Sequence, residues 1–173
     1  MSKPTSPTSA KLIKDGAVID NKWQTLANTD TPDSVVIPDG AVLVPLNVWQ
    51  AQTDTLSQRD NIGVWIANDI TPAEYADNLK SQPVIAIEFP VFMDGRGFSI
   101  ARLLRERFQY EGDIRAIGNV IRDQLCYLKR CGFSSFELSD DIDLTAALAS
   151  LNDFTESYQT AADQPLPLFR RKA

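Results

Sequence analysis

The sequence predicts an α/β fold, with about five βα units around a mainly parallel sheet and a small hairpin at the N-terminus. Three observations lead there. From residue 41 onward, short apolar runs alternate with stretches of helical periodicity at a spacing of roughly 20 to 30 residues. The runs are apolar nearly throughout, as in strands buried on both faces, and each helical stretch is long enough to cross between parallel neighbours. Finally, 173 residues, 43% of them hydrophobic and 23% charged, suffice for one core but not for two large domains.

Residues 1–10 contain two Pro and no apolar period, and read as a disordered arm. Residues 11–160 read as the single α/β domain, and 161–173 as an extended tail of Pro, apolar and basic residues of the kind that docks on a groove. Within Leu12 to Trp23, Asp15-Gly16 lies between apolar pieces, a type I′ hairpin signal. The five units follow: Ala41 to Val44 before a helix from Asn47 to Ser57, Ile62 to Ala67 before Pro72 to Lys80, and Val84 to Phe89 before Phe98 to Phe108. Ile114 to Ile117 before Val120 to Arg130, and Ser135 to Leu138 before Leu144 to Phe154, complete them. Thr71-Pro72-Ala73-Glu74 has the spacing of a capping box, and Gly132 is placed to end the fourth helix. Two architectures share this pattern, an open doubly wound sheet and a partial (β/α) barrel. Both put ligands at the C-terminal ends of the strands.

Composition excludes more chemistry than it suggests. With no His, the chain has no Ser-His-Asp device, HExxH zinc site or His-ligated haem, and two Cys are too few for a four-thiolate cluster. The net charge of −6 argues against a nucleic-acid partner. No apolar run is long enough to span a membrane, and no apolar segment follows Lys3 as a signal would require, so the chain reads as cytoplasmic. Charge is distributed in blocks: seven of the ten Arg fall between residues 94 and 131, while residues 132–164 carry seven acids and no base. Cys126 reads as a packing residue and Cys131 as partly exposed, both as thiols.

The candidate site lies after the third strand, where Asp94-Gly95-Arg96-Gly97 opens an Arg-rich helix. Glycines allow close backbone approach, helix N-terminal N–H groups attract anions and Arg96 adds a forked donor, so the loop reads as a site for a small anion or as a plain tight turn. Arg102 in the first turn, and Arg122 after the Gly118-Asn119 turn of the next unit, are candidates to join it. Asn119 also reads as a helix cap, and Arg105 and Arg107 as a solvated face. The third Gly of a dinucleotide fingerprint is missing. Glu88, inside an apolar strand, is either a perturbed acid or a carboxylate paired with a nearby Arg, and pairing is favoured. No metal site and no catalytic constellation emerges.

The stretch Glu88-Phe89-Pro90-Val91-Phe92-Met93-Asp94-Gly95-Arg96-Gly97-Phe98-Ser99, with Ala101-Arg102-Leu103-Leu104-Arg105, Gly112 to Gly118 and Asp123 to Phe133, closely resembles a family of small bacterial proteins called domain of unknown function 934. The resemblance extends loosely from the hairpin to about Phe154. It implies an association with assimilatory sulfite reduction, because members typically stand alongside the haemoprotein sulfite reductase and often carry the label of probable oxidoreductase. It implies no catalytic residue. The chain cannot hold the sirohaem-linked cluster itself, for want of Cys. Two expectations follow: an accessory protein that binds sulfite reductase, an anion or both, or a small enzyme using flavin or another phosphate-bearing ligand.

Overall fold

The computed structural model describes residues 10–154 and 156–171. Residues 1–9 of the expected arm, and the last two residues of the expected tail, lie outside them. The described residues form a mixed α/β fold around one eight-stranded sheet that curls as a half-barrel. Its strands are β1 (Lys11–Lys14), β2 (Ala17–Asp20), β3 (Trp23–Thr25), β4 (Ala41–Pro45), β5 (Ile62–Ile66), β6 (Val84–Phe89), β7 (Asp113–Gly118) and β8 (Ser135–Phe136). The α-helices are α1 (Leu46–Ala51), α2 (Thr53–Leu56), α3 (Arg96–Glu106), α4 (Leu125–Cys131), α5 (Leu144–Ser150) and α6 (Leu168–Arg171). No helix among the described residues is long and apolar enough to cross a membrane.

Strand order decides between the two architectures. Strands β3 to β8 lie side by side in chain order, all parallel, and the antiparallel β1 and β2 follow β8 at the far edge. Every crossover steps the same way, so there is no reversal point, and right-handed connections put the helices on one face. This corrects the doubly wound alternative. The outer face carries the large core, from Val42, Val44, Ile85 and Ile87 to Leu104 and Leu128 under the helices. The inner face has a smaller cluster of Trp23, Leu43, Trp65, Val84, Ala86 and Ile117.

Local signals account for several boundaries. Asp15 and Gly16 both have positive φ, 50° and 76°, and pair Lys14 with Ala17 across the expected tight turn. Gly132 ends α4 at φ 111°, and Asp143 caps α5 by accepting from the Thr145 N–H at 2.9 Å. Two expectations fail. The second helix is instead a pair of 3₁₀ turns, Pro72–Glu74 and Ala76–Leu79, without a side-chain cap from Thr71. Tyr75, buried to 1% exposure at φ −139°, breaks the helix between them. The structure also adds β3, a three-residue edge strand too short and polar to announce itself.

The inner face hides one charged network. Arg115 is 1% exposed on β7, donating from Nη2 to Asp113 Oδ2 at 3.2 Å and from Nε to Ser135 Oγ at 3.1 Å. Trp23 covers its guanidinium at 5.7 Å. Burial pushes the Asp113 carboxyl up, but Ser134, Arg115, Ser135 and Lys14 together hold it below its ordinary value. Asp113→Asn strands a buried guanidinium and is expected to cost about 3–5 kcal/mol in urea unfolding. With a depressed carboxyl, the stability Asp113 contributes is complete above roughly pH 4, the unfolded value, and is lost as pH falls through the lower folded one. Acid unfolding curves of the parent and Asp113→Asn should therefore converge at low pH.

Candidate functional site

The C-terminal ends of the parallel strands form a mouth, and the loops after β5, β6 and β7 frame it. Glu88 stands at the rim on the inner face, as register partner of Ile117 and one level above Ala86. It is half-buried. Burial first, and then the charge of Asp69, push its carboxyl above the ordinary value. The favoured pairing with Arg is not found, for Glu88 has no ion pair or hydrogen bond from its carboxylate among the described residues. Asn68, two residues beyond the end of β5, is 4% exposed and turns its side-chain amide toward the Asp94 carboxylate.

Asp94 and Arg96 occupy the next loop. Arg96 donates to Asp94 from Nη2 at 2.6 Å and from Nε at 3.0 Å, and its backbone N–H donates to the same carboxylate at 3.2 Å. These bonds, with help from Asn68 facing them, hold Asp94 well below the usual carboxylate range. The fork expected to grip an anion therefore already grips Asp94.

The glycines divide by role. Gly95 sits at the start of α3 in ordinary helical conformation, and a Cβ there would meet only Phe98, at 3.7 Å. Gly97 is buried, and a Cβ on it would come within 2.6 Å of the Phe89 ring, so its smallness serves helix packing on the strand. Gly118 has φ 89° and lies against the Phe89 carbonyl. Asn119 does not cap the following helix. Its backbone N–H donates to Phe89 O at 2.7 Å and its Nδ2 to Pro90 O at 2.6 Å. Gln124 Nε2 adds a bond to Phe92 O at 2.7 Å.

Arg102 and Arg122 are not brought to Arg96. Arg102 pairs with Glu106 at 2.8 Å and borders a shallow cleft with Tyr158, Gln159 and Pro167, while Arg122 pairs with Asp123 at 3.6 Å. Arg105 is not solvated either, since it binds the carbonyls of Tyr110, Gly112 and Gly132. The cysteines exchange their expected positions. Cys131 is buried and its thiol raised mainly by burial, Cys126 is half-buried, and both are free. Beside the mouth, a cleft of about 550 Å³ is lined by Val91, Phe92, Met93, Val120, Ile121 and Ile142, with Gly118, Asn119 and Ser139, and with Asp141 as its one ionisable group. No group of three or more carboxylates and thiols among the described residues is arranged to hold a metal ion.

Residues 63–169, which carry the mouth, the cleft and every strand from β6 to β8, match a bacterial protein family of unknown function, DUF934. The chain belongs to this family. No curated protein and no solved structure matches it. The DUF934 match therefore carries the family and no chemistry, and the geometry has to supply the rest.

From sequence, Asn68-Asp69 at the end of the second predicted strand reads as an ordinary cap; in the structure it caps no helix, and Asn68 and Asp69 instead act on Asp94 and Glu88. An unpaired, half-buried carboxylate opposes folding when charged. Glu88→Gln is thus expected to raise the melting temperature near pH 8, and the gain should fade as pH falls toward the unfolded Glu value of about 4.3. Parallel melts of both proteins across pH check this.

Proposed function

We propose that this DUF934 protein is an accessory component of assimilatory sulfite reduction that acts by binding a partner, the sulfite reductase haemoprotein. The loop Val91-Phe92-Met93 carries the reading. These side chains are 54%, 52% and 80% exposed, with Ile121 beside them at 37%. Contiguous apolar surface of this kind marks contact sites. The loop is also held, since Asn119 and Gln124 bind the carbonyls of Pro90 and Phe92, and the Asp94 N–H returns to Val91 O at 3.1 Å. A loop ordered before binding loses little entropy on docking. The resemblance supplies the pathway, and the absence of His and of cluster-forming Cys supplies the accessory role.

A second reading, an enzyme using flavin or another phosphate-bearing ligand, would draw on the adjacent cleft. Its one ionisable lining group is the Asp141 carboxylate, which disfavours phosphate. A small anion at residues 94–97 would have to displace Asp94 from Arg96. Flavin absorbance in protein purified from its own host would favour the enzyme reading.

Deleting the gene should abolish growth on sulfate as sole sulfur source and leave growth on cysteine intact. Normal growth on sulfate would remove the assignment. Phe92→Asp with Met93→Asp lies at exposed positions and should shift stability by no more than about 0.5 kcal/mol per site, while abolishing capture of sulfite reductase in a pull-down and failing to complement the deletion.

A further inference from the structure

The tail holds its backbone in place while leaving its apolar side chains uncovered. Ala162 donates its N–H to Arg130 O at 3.0 Å, Leu168 donates to Tyr158 O at 3.3 Å, and Arg171 Nη1 lies 3.4 Å from Glu156 Oε2. Leu166 is nonetheless 48% exposed and Phe169 65%. Arg170, also exposed, has its guanidinium 5.9 Å from the centre of the Phe169 ring, so an apolar anchor and a positive charge stand side by side. From Pro165 onward the chain carries three bases and no acid. The cleft beside the mouth has the opposite character. Its three lining segments, 91–93, 118–121 and 139–142, join an apolar wall to the Asp141 carboxylate, and Asp140 and Asp143 flank Asp141 at exposed positions. An apolar wall edged by acid complements an aromatic anchor edged by base. No described residue of the tail lines the cleft of its own chain, which leaves both surfaces open to a second copy.

We propose that a second copy of this chain seats its Phe169 in the cleft against Phe92 and Met93, with Arg170 facing Asp141. Pro165 and Pro167 restrict the backbone before the anchor, and the bonds from Leu168 and Arg171 hold α6 in place, so little entropy is lost on docking. Each copy carries one cleft and one tail, and reciprocal seating closes a dimer with two such contacts. The proposal stands apart from the sulfite reductase reading but shares the 91–93 loop with it, so the two contacts exclude one another.

Sedimentation velocity of the purified full-length protein over a range of concentrations, with no reductase present, tests this. Reversible association to a dimer is expected. Phe169→Asp, at an exposed position, should weaken it by about tenfold or more, the loss of a buried aromatic side chain, with the melting temperature unchanged. Asp141→Lys and Arg170→Glu should each weaken association severalfold, and the double variant should recover it, which separate structural roles for the two residues would not produce. Phe169→Asp should still capture sulfite reductase, whereas Phe92→Asp with Met93→Asp should lose both contacts. A parent protein that associates but captures no reductase overturns the partner reading and leaves this one standing. A protein that stays monomeric at every concentration, association unchanged in Phe169→Asp, or a double charge swap no better than either single variant overturns the proposal.

Discussion

Two residues, Asn21 and Lys22, join the strands at opposite edges of an eight-stranded sheet. Three peptide steps span at most about 11 Å, so the sheet must curl until Asp20 of β2 and Trp23 of β3 come that close. Other contacts show the same curl. Trp23 reaches across to cover Arg115, four strands away in the sheet, and Asn21 Nδ2 donates to Glu137 Oε2 just beyond β8 at 3.1 Å. A sheet bent this far encloses its inner face, which then has to be filled by side chains. Both the buried charge network and the mouth follow from that enclosure.

The enclosed face is divided by height. Near the N-terminal ends of the strands, Asp113, Arg115, Ser135 and Lys14 satisfy one another almost completely, and only Arg115 Nη1 is left without a partner there. Such a network serves stability, because a charge taken out of water survives only when its partners are fixed. At the C-terminal ends the pattern reverses, with the half-buried Glu88 carboxyl pushed above its ordinary value by burial and by the charge of Asp69. In barrels of parallel strands, this is the end where ligands bind. A half-buried carboxylate without a counter-charge is a local cost of the kind that functional residues carry.

The sequence was legible wherever one residue type decides a conformation. Asp15-Gly16 specifies its turn, Gly132 its helix end, and the β6 run Val84-Ile85-Ala86-Ile87 a strand buried on both faces. It was not legible where tertiary contacts decide. Tyr75 breaks a well-signalled helix to reach the core, and β3 exists only because β4 lies beside it. Strand order was hidden because periodicity does not record the direction of a crossover. The same distinction applies to the site. Its loop was evident from Asp94-Gly95-Arg96-Gly97, yet Gly97 answers to the Phe89 ring rather than to a ligand. Asn68 could be linked to Glu88 only through the pairing of β5 with β6.

The basic block from 94 to 131 illustrates how charge counts mislead. Its seven arginines look in sequence like a positive surface for an acidic partner. In the structure Arg96, Arg102, Arg115 and Arg122 each face a carboxylate, and Arg130 lies 3.9 Å from Asp163. Arg105 is spent on backbone carbonyls, and Arg107 lies 5.6 Å from the centre of the Phe108 ring. Five of the seven arginines thus have a carboxylate within 4 Å, and exposed ion pairs of this kind contribute little on their own. The surface that does remain unsatisfied is apolar, at Val91, Phe92, Met93 and Ile121. The partner contact proposed for this loop would therefore rest on apolar area and on the held backbone of the loop, with electrostatics setting orientation rather than affinity.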